Sequence, residues 1–138
     1  MQQLIDSKAW INFSQGIDIR LMTEEKAEML RQIKVKSVHL AWDRYEDKND
    51  ILPKLEMFKR VTGWNYRKLM VYVLVNFNTT IEQDLERIYT LRDMGYDPYV
   101  MIYNKEQTNA KDTVRRLQRW VNMKAIFKTV ARFEDYHG

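Results

Sequence analysis

The sequence predicts an α/β fold made of successive βα units around a parallel sheet about four strands wide. Four apolar stretches with strand character are each followed by an amphipathic stretch that opens with helix-start signals. Their starts recur at about the 30-residue spacing of a βαβ unit. The strand stretches finish in polar residues: Gln15, Gly16, Asp18 and Arg20, then Asp43, then Asn76 and Asn78, then Asn104. In parallel sheets ligands bind beyond the carboxyl ends of the strands, so these positions form the candidate site.

Residues 1–9 contain apolar Leu4 and Ile5 but no complete amphipathic repeat, which suits a short helix continuing something upstream. Residues 10–15 then alternate apolar and polar as the first strand, before Gly16, which permits a turn or a close backbone approach. Thr23 reads as the N-cap of the next helix, with Glu24 and Glu25 in the first turn, where the helix dipole favours acids. Ala27, Leu30 and Ile33 have the spacing of a helix face laid on a sheet.

Residues 37–43 are a nearly continuous apolar run containing His39, which predicts a strand covered on both faces. Pro53 is expected in the first turn of the following helix, where its missing N–H does least harm. Ile51, Leu55, Phe58 and Val61 supply that helix's apolar stripe, and Gly63 its stop. Residues 69–75, the most hydrophobic stretch, are β-branched and aromatic in character and predict a central strand. Thr80 with Gln83, or Thr79 with Glu82, makes a capping box for a helix whose apolar face is Ile81, Leu85 and Ile88. Gly95 followed by Pro98 ends it. A fourth strand is expected over residues 99–103. A last helix is expected from about 110 to 127, burying Val114, Leu117 and Val121 and presenting Arg115, Arg116 and Arg119. No linker or low-complexity segment interrupts the chain, so residues 1–138 read as a single domain.

The absence of cysteine excludes a disulfide, a thiolate-held zinc or iron–sulfur cluster, and a cysteine nucleophile. The two histidines, His39 and His137, are far apart in sequence, which argues against a protein-only metal site. A chain of 138 residues buries roughly two-thirds of its unfolded surface, enough for a core. No apolar run reaches the roughly 18 residues of a membrane span, and Met1 opens no charged-then-apolar leader, which points to a soluble, cytoplasmic protein.

The segments QGIDIRLM, HLAWD, VYVLVNFNTTIEQDLERIYTLRDMGYDPYVMIY and LQRWVN resemble, together and in order, the carboxyl-terminal half of radical S-adenosylmethionine (radical SAM) proteins. The resemblance covers about residues 4–136. It implies half of a TIM-like partial βα barrel, part of a larger protein, which would face the substrate. The cofactors implied for the full-length family are S-adenosylmethionine and a 4Fe-4S cluster that cleaves it reductively to a 5′-deoxyadenosyl radical. The family's C-x3-C-x2-C motif is missing from this chain. The chain by itself is therefore not expected to perform radical chemistry.

In the resemblance, Gln15, Asp18 and Arg20 fall where the family holds the carboxylate and ribose of S-adenosylmethionine. Asp18 could accept from ribose hydroxyls and Arg20 could clamp a carboxylate; equally, the two could pair with each other or cap the next helix. Asp43 and Asn76 end the next two strands, and Asn76 could bond an adenine edge or a sugar hydroxyl. Asn78, followed by Thr79 and Thr80, reads equally well as a turn into a capped helix. Gly16 reads as backbone geometry, His39 as a hydrogen-bonded core histidine and His137 as a frayed terminus. Trp42, Trp64, Tyr72, Tyr99, Tyr103 and Trp120 read as core or rim packing before base stacking.

A rival function class rests on charge. Between Lys105 and Arg132 the chain carries Lys105, Lys111, Arg115, Arg116, Arg119, Lys124, Lys128 and Arg132 against Glu106 and Asp112 alone. Such a patch could bind nucleic-acid phosphates or a protein partner through Arg115, Arg116 and Arg119. A solvated helix face accounts for it as well, since no recognised nucleic-acid-binding signature accompanies it. Half a barrel would also leave sheet edges and an inner face uncovered. A homo-oligomer, most simply a dimer joined through an edge strand or through Trp42, Tyr72 and Tyr103, is therefore expected.

Overall fold

The computed structural model describes residues 17–33, 36–109 and 111–138. Its elements are β1 (Ile17–Asp18), α1 (Glu24–Arg31), β2 (Val38–Trp42), α2 (Lys48–Thr62), β3 (Leu69–Val75), α3 (Ile81–Asp93), β4 (Asp97–Ile102), α4 (Thr113–Asn122) and α5 (Lys124–Thr129). The four strands make one all-parallel sheet in the order β1-β2-β3-β4. Each strand thus pairs with the one before it in sequence, as in the wall of a βα barrel. The predicted first helix, the strand over residues 10–15, Gln15 and Gly16 lie outside the described residues.

Burial alternates along the strands, as the two-residue period of a pleated strand requires when one face is covered. Val38, Leu40 and Trp42 of β2, Leu69, Val71, Val73 and Val75 of β3, and Val100 of β4 are at most 1% exposed, and they share one core with residues of the helices. His39, Ala41, Met70, Tyr72 and Leu74 on the opposite face are half-buried, and Tyr99, Met101 and Tyr103 are exposed. This corrects the expectation that β2 is covered on both faces. Its continuous apolar run reflects Ala41 and His39, which are small or polar enough for a half-open surface. Trp42, expected on the inner face, lies on the helix side, where its indole N–H donates to the Arg44 carbonyl at 2.8 Å.

Helix starts follow local chemistry. Thr23 accepts from the Lys26 amide to cap α1, whose Ala27 and Leu30 enter the core together with Ile33 just beyond it. Gly63 ends α2 at φ 70°, a left-handed cap that only glycine takes up without strain. Pro53 lies inside α2, beyond its first turn: a 3-10 turn over Tyr45–Asp47 leads directly into the helix at Lys48, so the start falls earlier than the proline signals. Thr80 and Gln83 form the reciprocal capping box of α3. Thr80→Ala is expected to cost about 1 kcal/mol, read as a lower urea midpoint with unchanged slope.

The last predicted helix is two. Met123, at φ −89° and ψ 96°, breaks the chain between α4 and α5. The break lets Asn122 serve the sheet: its Oδ1 accepts from the Val100 amide at 2.8 Å and its Nδ2 donates to the Val100 carbonyl at 3.0 Å. Gln118 donates to the same carbonyl, and Lys124 donates to that of Pro98. Side chains thus stand where a fifth strand would pair, and the edge that the sequence reading left open is closed here. Beyond α5, Phe133 and Tyr136 are buried, so the tail of mixed composition returns to the core.

Candidate functional site

The carboxyl ends of the four strands are built from turns that side chains hold. Asn76, Asn78 and Asn104 take positive φ of 64°, 54° and 53°. Asparagine tolerates this region better than most residues, so the strand ends reverse without glycine. Asn76 Nδ2 donates to the Tyr103 carbonyl at 3.1 Å, tying the end of β3 to the end of β4. Beside it opens a polar cleft of about 500 Å³, lined among others by Asn76, Tyr103, Asn104, Gln107, Thr108 and Asp112.

At the β1 side, Asp18 and Arg20 pair with each other. Asp18 accepts from Arg20 Nε at 3.0 Å and Nη2 at 2.9 Å, and also from the Arg20 amide. Arg20 reaches Asp47 as well, at 3.3 Å. The hydrogen bond from Arg20 holds the Asp18 carboxyl below its ordinary range, and Asp18 in turn raises Arg20. Of the two readings of this pair, the structure therefore shows the internal ion pair that also caps a 3-10 turn over Ile19–Leu21. Asp43, just past β2, is exposed.

Beneath this mouth lies Arg87 of α3, fully buried, which the sequence reading did not single out. Its Nη1 donates to the Trp42 carbonyl at 3.0 Å, and its Nη2 donates to the Leu74 carbonyl and to Asp84 Oδ1, both at 2.8 Å. One guanidinium therefore joins the ends of β2 and β3. Burial pulls the Arg87 pKa down, while the Asp84 hydrogen bond opposes the shift. The available signal was the spacing of Asp84, Ile88 and Leu91, which places a carboxylate on the stripe that faces the sheet.

On the face opposite the helices, His39 Nδ1 and the Tyr72 hydroxyl share a hydrogen bond of 2.7 Å, and Ser37 Oγ lies 3.3 Å from His39 Nε2. Tyr72 meets Tyr99 edge to face, with ring centres 5.7 Å apart. Burial raises the Tyr72 hydroxyl pKa. Among the described residues no group of three or more His, Asp or Glu is placed to hold a metal ion, and no helix is long and apolar enough to cross a membrane.

The arginines of the basic helix are engaged within the chain. Arg115 donates to Thr108 Oγ1 and to the carbonyls of Lys105 and Thr108. Arg116 donates to the Tyr136 carbonyl and lies over the Phe133 ring, and Arg119 donates to the Gly138 carbonyl. Comparison with family models, with curated proteins and with solved structures finds no match to this chain.

Proposed function

We propose that this chain is the substrate-facing part of a radical S-adenosylmethionine-type βα barrel, a part that binds at its strand ends and leaves radical generation to residues outside it. The observation that carries the reading is the sheet: four parallel strands in sequence order, with helices on the buried side, an aromatic inner face, and extension past β4 blocked by Asn122. A barrel wall of this kind continues only on the β1 side. In the full family the cluster supplies the electron that cleaves the sulfonium. This chain has no thiolate for such a cluster, so that group does not fit here. Asp43 and Asn76 Oδ1, for which no donor stands among the described residues, fit the hydroxyls or amino groups of S-adenosylmethionine. Arg20 fits its carboxylate only by giving up Asp18 and Asp47.

Equilibrium dialysis with S-adenosylmethionine is expected to give saturable binding that Asp43→Ala together with Asn76→Ala weakens at least about tenfold. After anaerobic incubation with iron, sulfide and a reductant, the same protein is expected to show no stoichiometric cluster absorbance and to form no 5′-deoxyadenosine. Absence of saturable binding, or binding indifferent to both substitutions, would overturn the reading. So would turnover by the isolated chain. Use of the basic helix on nucleic acid would require Arg115, Arg116 and Arg119 to release the carbonyls they now hold.

A further inference from the structure

A second pocket, of about 440 Å³, opens at the opposite end of the sheet, where the strands begin. This volume lies within the roughly 300–1,000 Å³ typical of small-molecule sites. Tyr66 lines it from the loop before β3, Arg92 from the end of α3, Asp97 from the start of β4, and Lys124, Phe127 and Lys128 from α5. Asp97 is already neutralised, because Lys124 Nζ lies 2.7 Å from its carboxylate. Lys124 also donates to the carbonyls of Pro98 and Val121.

Two cations are left over. Among the described residues neither Arg92 nor Lys128 has a carboxylate within ion-pair distance. Both are held against rings: the Arg92 guanidinium lies 5.4 Å from the centre of Phe127, and Lys128 Nζ lies 5.4 Å from that of Tyr66. A hydrogen bond from Arg92 to the Ala131 carbonyl fixes the guanidinium in place. A hydrogen bond from Arg67, with the charges of Arg67 and Lys128, holds the Tyr66 hydroxyl below its ordinary pKa. Tyr66 is also 43% exposed, so ring surface remains open beside the two cations.

We propose that this pocket binds a small organic anion of the mononucleotide class, its planar ring against Tyr66 and its phosphate between Arg92 and Lys128. A bare anion would leave the open ring unused, and a neutral ring would leave both cations uncompensated. The site is separate from the mouth, since it lies at the other end of the strands.

Calorimetric titration of the full chain with adenosine monophosphate, with adenosine and with inorganic phosphate tests this. Adenosine monophosphate is expected to saturate one site, and the other two to bind at least about tenfold more weakly. Lys128→Glu and Tyr66→Ala, at exposed positions, are each expected to weaken it by about tenfold while circular dichroism stays unchanged. Asn76→Ala, at the mouth, is expected to leave it unchanged. The proposal fails if phosphate alone binds as tightly as the nucleotide, or if no saturation is reached in the millimolar range. It also fails if Lys128→Glu and Tyr66→Ala have no effect, or if Asn76→Ala abolishes binding.

Discussion

Arg87→Met is expected to remove about 3–5 kcal/mol of stability, a large share of the about 5–15 kcal/mol that holds a domain of this kind together. The substitution keeps most of the volume and removes three donated hydrogen bonds. It leaves the Asp84 carboxylate buried without its cation and takes the guanidinium donor from the Trp42 and Leu74 carbonyls. Adding Asp84→Leu removes the stranded charge and is expected to return part of the loss, while the two strand-end carbonyls still lack the guanidinium. Chemical denaturation of the single and double variants measures both quantities. If Arg87→Met costs under 1 kcal/mol, or if Asp84→Leu returns nothing, the guanidinium is not what ties β2 to β3.

The second large effect concerns the outer edge. Asn122→Ala is expected to cost about 2–3 kcal/mol, since the buried Val100 amide loses its acceptor and its carbonyl keeps only the longer bond from Gln118. The bared strand edge is also expected to make the protein associate with rising concentration, read by light scattering against the parent chain. Asn122→Asp separates the two groups: it retains an acceptor for the amide but sets a negative charge against the carbonyl. An Asn122→Ala protein as stable and as dispersed as the parent would show that the edge needs no cover.

Much of the scaffold is readable from local rules. The bounds of β3 match the predicted 69–75, and the caps at Thr23, Thr80 and Gly63 are made by the residues that name them. These are short-range features, set by a few neighbouring side chains. The polar residues that follow β2, β3 and β4 stand where expected for the same reason, because a strand stops where its apolar run stops. What those ends bond to was not legible. Asp18 and Arg20 read as ligands or as a pair, and the second partner of Arg20, Asp47, lies 27 residues away, where no local rule could find it.

Arg87 was missed for a related reason. A charged i, i+3 pair on a helix is normally a surface feature, and only the approach of two strand-end carbonyls from elsewhere in the chain makes a buried guanidinium worth its desolvation. The division at Met123 carries no glycine or proline. It is imposed by Asn122 being drawn to β4 and is visible only once the sheet is assembled.

The strand order has a consequence for how the molecule comes apart. Because each strand touches only its sequence neighbours, the sheet behaves as a short stack in which loss of a terminal unit leaves the remaining pairings intact. β2 and β3, each flanked on both sides, form the part that opens last. Among the described residues, β4 is fastened at its free side by α4, whereas β1 contributes two paired residues. Opening is therefore directional, running from β1 inward. The end of the described sheet that loosens first carries Asp18 and Arg20, so half of the mouth belongs to its least cooperative part and can rearrange around a ligand without disturbing the other strands.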